Sequence, residues 1–180
     1  MKKRLDITSL FALSLALPLF CPTVHAADFS ATRRLDVSQE TLRKGLEKVG
    51  SPVTFAPRSG STQGTQEARL PDNAGLVQAG GDKENLTTVV LWLPVDDKGN
   101  LVGTKARAYL EAVVDNFVRE HEQIVLWVDQ VLKRALSEAR SSLYLESQLV
   151  EQYQFKVAYV PTLSPPMMSM AVAAGEDEQP

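Results

Sequence analysis

Three titratable residues stand in a row in the stretch REHEQ, namely Glu120, His121 and Glu122. Imidazole and carboxylate groups are the side chains that most often bind metal ions or transfer protons. Successive helical residues point about 100° apart, however, so three neighbours do not converge on one ion. The HExxH zinc motif is incomplete as well, because Val125 stands where its second histidine would be. The pattern favours a solvated break between two helices, with a metal or acid–base site as the alternative.

A second group of possible ligands is the stretch DDKGN, in which Asp96 and Asp97 are followed by Gly99 and Asn100. Carboxylate and amide oxygens bind calcium, but the EF-hand spacing is absent. Asp, Gly and Asn also favour a polar β-turn, which accounts for the whole stretch. The sequence therefore assigns no catalytic, cofactor-binding or metal-binding residue and predicts no cofactor. The candidates are Asp96, Asp97 and the triplet centred on His121.

The amino-terminal residues have the three-part layout of a secretory signal peptide. Residues 2–4 are all basic, residues 10–20 form an apolar run, and Ala26 is a small residue at the expected cleavage position. The apolar run is shorter than the about 20 residues that a membrane-spanning helix needs. We therefore predict that residues 1–26 are removed on export to the periplasm and that the chain has no transmembrane segment.

Cys21, the only cysteine of the chain, lies within this leader. A bacterial lipoprotein signal would place small residues directly before the cysteine that is acylated, whereas Leu19 and Phe20 are bulky. Lipid attachment at Cys21 is therefore not predicted. Cleavage after Ala26 leaves 154 residues with no cysteine and one histidine, which excludes disulfide bonds and thiolate chemistry in the mature protein.

The mature chain would carry a modest negative charge, with 16 basic and 21 acidic residues and a net charge of −5. This balance argues against a nucleic-acid-binding surface. A chain of 154 residues suits one domain with one core. We predict a single domain over residues 27–174, followed by an acidic disordered tail, GEDEQP, over residues 175–180.

Hydrophobic periodicity predicts the helices. Apolar residues recur at helical spacing over residues 39–49, and Ser38 is a suitable N-cap for that helix. Residues 104–140 carry two further apolar stripes without a clear stop between them, so one long helix or two helices would fit. A break near His121 is preferred, because a continuous helix of over about 30 residues is rare in a small domain.

Strands are predicted over residues 86–95, 153–160 and 167–173, and Trp92 in the first of them is expected to anchor the core. Residues 56–83 are rich in Gly, Ser, Thr, Gln and Pro, which predicts a flexible loop, either a disordered linker or a functional lid. The expected fold class is α+β. It would consist of a small, mainly antiparallel sheet of about three strands, with about three helices packed on one face.

Several stretches give the chain a resemblance to a known family. These are LDVSQETLRKGLEK, the strand that closes on Trp92–Pro94, the following KARAYLEAVV and the aromatic strand near the end. In these the chain resembles the uncharacterised YiiQ-type family of proteobacterial periplasmic proteins, over most of the mature sequence. The resemblance implies a periplasmic location, and it implies no activity and no catalytic residue.

The absence of a nucleophile motif, a metal cluster and a cofactor loop from the sequence favours a non-enzymatic binding or interaction module of the bacterial cell envelope. Its partner would be another protein of the envelope. Two alternatives stay open, an inhibitor or immunity protein against a cell-wall enzyme, and an envelope hydrolase that uses a metal or carboxylates with His121. The sequence does not decide between an enzyme and a binding protein, nor does it give the oligomeric state.

Overall fold

The computed structural model describes residues 33–59, 64–138 and 141–175. The predicted signal peptide with Cys21, and all but the first residue of the predicted acidic tail, lie outside the described residues. The expectations that concern these two segments therefore stay predictions.

The described part of the chain contains three α-helices and seven strands. The helices are α1 (Gln39–Glu47), α2 (Ala106–Val114) and α3 (His121–Glu138). The strands are β1 (Ala56–Pro57), β2 (Gln66–Leu70), β3 (Gly75–Asp82), β4 (Asn85–Pro94), β5 (Tyr144–Val150), β6 (Tyr153–Val160) and β7 (Met167–Ala174), and a 3-10 turn at Pro71–Asn73 joins β2 to β3.

All seven strands form one antiparallel sheet in the order β1-β2-β3-β4-β7-β6-β5. The sheet therefore consists of two meanders, β1 to β4 and β5 to β7, which meet where β4 pairs with β7. The predicted α+β class and the antiparallel sheet are confirmed. The prediction of about three strands is wrong, because the sheet has seven.

Three of the four additional strands lie in residues 56–83, which the sequence predicts to be a flexible loop. The residues of β2 and β3 that enter the core include Ala68, Val77 and Ala79, whose short side chains give a weak apolar signal. The pairing register also shifts between Gly80 and Gly81, so the alternation of β3 is broken. Backbone pairing with each other and with β4 holds β2 and β3 in the sheet, although their composition resembles that of a linker.

The start of α1 and the break between α2 and α3 both agree with the sequence. The Ser38 side chain accepts a hydrogen bond of 3.1 Å from the backbone N–H of Thr41 and caps α1. The predicted break near His121 is confirmed, because α2 ends at Val114 and α3 begins at His121. Asp115 lies in the connection between these two helices.

One face of the sheet, called here the inner face, packs against the three helices. Fully buried residues alternate along its strands, for example Phe155 and Val157 on β6 and Met168 and Met170 on β7. Buried residues of the three helices belong to the same core cluster, for example Leu42, Leu110 and Leu132. The other face, called the outer face, carries the residues between them and contributes none of its side chains to that cluster.

Candidate functional site

The triplet around His121 does not converge on a common point. The Nδ1 atom of His121 lies 2.6 Å from the Oδ1 atom of Asp115, in the α2–α3 connection. Glu120 instead accepts a hydrogen bond from the side-chain amide of Gln123, and Glu122 is exposed. Within the described ranges, no three His, Cys, Asp or Glu residues are grouped as metal ligands would be. The structure therefore shows a two-residue pair, of which the sequence identified only His121.

Asp96 closes the turn that follows β4. Its Oδ1 atom accepts hydrogen bonds from the backbone N–H groups of Lys98 and Asn100, at 2.9 and 2.8 Å, and its Oδ2 atom accepts one from the Asn100 side chain. The Asn100 side chain, followed by the backbone donors, holds the pKa of Asp96 below its ordinary value. Asp97 is exposed beside it. The polar turn predicted for this stretch is confirmed.

A charged cluster that the sequence did not reveal joins α3 to β5. The Arg134 guanidinium donates two hydrogen bonds to the Glu146 carboxylate, at 2.7 and 2.6 Å, and the Tyr144 hydroxyl donates a third at 2.6 Å. Arg134 is the main cause that lowers the pKa of Glu146, and the Glu146 carboxylate in turn raises the pKa of Tyr144. Arg134 and Tyr144 both donate to Glu146, so these contacts fasten β5 to α3. The three residues are called here the clamp on β5.

A second ionic contact joins α2 to α3. Arg107 lies 2.9 Å from Asp129 and 3.2 Å from Glu111, and Asp129 is the main cause that raises the pKa of Arg107. These residues are partly exposed on the helix side of the molecule. Arg107 and Asp129 are 22 positions apart in the chain, so no sequence periodicity predicts their contact.

None of the described helices packs on the outer face of the sheet. Its middle consists of short side chains, with Val90 opposite Ala171 and Ser169 opposite Ala158. Five buried apolar residues among those that the structure describes do not belong to the core cluster, and all five lie on this face: Val90, Ala158, Val160, Ala171 and Ala173. The middle of the outer face is therefore rich in small apolar residues.

Trp92 lies on this outer face, where its indole N–H donates a hydrogen bond of 3.4 Å to Gln78 on β3. Its ring is half-buried and outside the core cluster, so the prediction of Trp92 as a core anchor is wrong. Period-2 alternation places Trp92 and Leu91 on opposite faces, and Leu91 is the fully buried one. Half-buried tryptophans are common anchors at protein–protein interfaces.

The outer face continues to the β5 edge of the sheet, where it becomes openly apolar. Leu145 and Leu149 are 53% and 58% exposed, and both belong to the outer face because they lie opposite Ala158 and Gln154. Leu143, just before β5, is 53% exposed. These three residues are most of the large hydrophobic side chains that are exposed in the described part of the chain.

The fold and this surface together define an α+β protein with an antiparallel sheet that is covered by helices on one face, while no described helix packs on the other. No described helix is both long and apolar enough to cross a membrane. No protein-family model, no curated protein and no solved structure matches this chain. The features that bear on function are therefore those of the molecule itself, above all its outer face.

Proposed function

We propose that this chain is an exported protein of the bacterial cell envelope that acts by binding another protein through the outer face of its sheet. The observation that carries the proposal is the group of buried small apolar residues on that face, which lie outside the core cluster. A monomer needs polar side chains on a solvated sheet face, whereas a face that accepts a partner needs apolar ones. Catalytic chemistry is not part of this function.

The charges on the outer face indicate what kind of partner it accepts. Arg69 on β2 lies on this face, and Glu67, two residues before it, lies 4.0 Å from Arg58. The complement is an apolar protein surface with a carboxylate placed to meet Arg69, because opposite charges at the rim favour encounter and orientation. An inhibitor or immunity protein against a cell-wall enzyme would be one example of such a binding module.

Export is supported by the signal-peptide pattern of residues 1–26. The mass of the protein purified from a periplasmic extract tests it, with a mature chain that begins at Ala27 as the expected result. A chain that retains residues 1–26 would contradict export by cleavage. An acylated Cys21 would instead place the protein on a membrane.

Photocrosslinking in intact cells tests the binding surface. A benzophenone amino acid in place of Trp92 should capture a second protein, because the probe lies in the middle of the open face. The same amino acid in place of Leu126, which is 56% exposed on α3, is the matched control and should capture none. Adding Ala171→Arg, which places a charged side chain in the middle of the outer face, should abolish the crosslinked product formed from position 92. Equal products from positions 92 and 126, or none from either, would contradict the proposed surface.

The His121–Asp115 pair gives a second candidate function, that of an envelope hydrolase. An imidazole held by a carboxylate is part of many acid–base sites, although here no described nucleophile lies within hydrogen-bond distance of it. If the protein acts only by binding another protein, His121→Ala should leave its metal content and melting temperature unchanged. If the wild type hydrolyses cell-wall material and His121→Ala does not, the protein is instead an envelope hydrolase that uses His121.

A further inference from the structure

The two edges of the sheet differ in how they are protected from pairing with another chain. β1 has two residues and ends at Pro57, and short strands and prolines are usual ways to block an edge. β5 has seven residues, contains no proline, lysine or glycine, and pairs with β6 without a bulge. No described strand pairs with its other side. β5 is thus the edge that is open to a further strand.

We propose that β5 pairs antiparallel with β5 of a second copy of this chain, about a two-fold axis that passes beside Ser147. This dimer goes beyond the proposed function and does not depend on it, since it is held by the backbone edge of β5; it covers only Leu145 and Leu149, at the β5 end of the outer face. Most homodimers have this two-fold symmetry, in which the same surface of both subunits must be complementary to itself.

The sequence of β5, YLESQLV, is complementary to itself about Ser147. In this register Leu145 lies opposite Leu149 of the second copy, and Leu149 lies opposite its Leu145. Both leucines are more than half exposed in the single chain, so the pairing would bury the most apolar part of the edge. Ser147 meets Ser147 at the axis, which is a small and uncharged contact.

On the inner face the same register joins Tyr144 to Val150 and Glu146 to Gln148 of the second copy. An amide opposite a carboxylate can donate a hydrogen bond to it, and no like charges meet. The Glu146 charge is already compensated by Arg134, which lies 2.6 Å from it. The charged residue of β5 therefore does not oppose the approach of a second copy.

Neighbouring registers are less favourable. An axis beside Glu146 would place two carboxylates directly opposite each other, which is destabilising. An axis beside Gln148 would place Leu145 opposite Glu151, and Leu149 opposite Ser147, so neither leucine would meet an apolar partner. The axis beside Ser147 also pairs all seven residues of the strand, whereas the others pair fewer.

A dimer of this kind has a defined consequence for the outer face. A two-fold axis perpendicular to the sheet leaves both outer faces on the same side, since antiparallel strands keep the side-chain alternation of the pleat. The two seven-stranded sheets would become one continuous sheet. A partner would then meet two adjacent copies of the surface around Trp92.

Sedimentation of the purified full chain, with charge variants at the axis, tests the proposal. Wild type should be a dimer at high protein concentration. Ser147→Lys and Ser147→Glu should each weaken dimerisation at least about tenfold, because each places like charges opposite each other. An equimolar mixture of the two variants should regain the dimer, since only a heterodimer pairs Lys with Glu. Thr54→Lys, an exposed position just before β1 at the other edge, is the control and should dimerise as wild type does.

Three results would overturn the proposal: a wild type that stays monomeric at every concentration, a dimer that Ser147→Lys does not weaken, and a mixture that does not recover. Amide hydrogen exchange of wild type keeps the test decisive if a charge variant does not fold. The amides of residues 144–150 should exchange more slowly as protein concentration rises, while those of residues 66–70 should not change. Concentration-independent exchange in β5 would reject the dimer.

Discussion

The two faces of the sheet are built from alternate residues of the same strands, yet they differ in what holds them in place. On β6, Phe155 and Val157 are fully buried against the helices, while Gln154 and Lys156 on the outer face are not. On β7 the inner residues Met168 and Met170 are large, whereas Ser169, Ala171 and Ala173 on the outer face are short. The difference teaches that stability resides on the inner face and leaves the outer face free to serve recognition.

The largest expected effect comes from truncation on the inner face of β6. Phe155→Ala should lower the free energy of unfolding by about 3–5 kcal/mol, because it leaves a cavity in a fully buried site. Gln154→Ala, the neighbouring change on the outer face, should stay within about 0.5 kcal/mol. Urea denaturation of the two variants measures both values. Similar losses would mean that the outer face is covered as the inner one is.

Leu91 and Trp92, which are adjacent on β4, allow the same comparison, but here the larger side chain is the one on the outer face. Leu91→Ala on the inner face should cost about 2–5 kcal/mol. Trp92→Ala, although it removes the larger side chain, should cost only about 1 kcal/mol, because the ring is half-buried and outside the core cluster. Denaturation midpoints with unchanged slopes would give the order. A larger cost for Trp92 would contradict the assignment of an open face.

The clamp on β5 should depend on pH, and Glu146→Gln measures it. The folded-state pKa of Glu146 lies below the ordinary value of 4.5, so its contribution is present above that value and is lost as pH falls through the folded-state pKa. At neutral pH the variant should lose about 1 kcal/mol, because both partners in the ion pair are partly exposed.

The gap in melting temperature between wild type and Glu146→Gln should therefore narrow on acidification below about pH 4.5. Glu122→Gln, at an exposed position of α3, is the control, and its gap should stay small throughout. A gap for Glu146→Gln that is constant over this range would show that the carboxylate charge does not stabilise β5.

The smallest change in the free energy of unfolding is expected from removing a single buried hydroxyl group on the helix side of the sheet. The hydroxyl of Tyr109 is buried and has no hydrogen-bond partner among the described residues, and burial raises its pKa. Tyr109→Phe should stabilise the protein by up to about 1 kcal/mol. Tyr153→Phe should destabilise it by a similar amount, because the Tyr153 hydroxyl donates to the Leu35 carbonyl at 3.2 Å. Thermal melts that showed equal losses would contradict the unpaired hydroxyl.

The elements with strong periodicity could be predicted from the sequence. α1 with its Ser38 cap, the break before His121, and the strands β4, β6 and β7 were expected and are present. β5 was missed because apolar residues fall on both of its faces, Tyr144 inside and Leu145 outside, so the alternation cancels. β2 and β3 were missed because several of their inner residues are small, such as Ala68 and Ala79, and because only pairing with a neighbouring strand makes these strands regular.

The candidate sites show the same limit. The turn at Asp96 depends on contacts within five residues, and its chemistry could be predicted from the sequence. The Arg134–Glu146 clamp and the outer face depend on residues that are far apart in the chain and adjacent only after folding. The side-chain period of a strand identifies two faces, and the order of the strands decides which residues share one.

The pairing of β4 with β7 has a consequence for how the molecule folds. Each meander is built from near neighbours in sequence, but this pair joins Val90 to Ala171, about 80 positions apart. We expect the two halves to form their hairpins first and to join along β4 and β7 late. Changes along this junction, such as Met170→Ala, should then mainly accelerate unfolding, while changes in the β3–β4 hairpin should mainly slow folding.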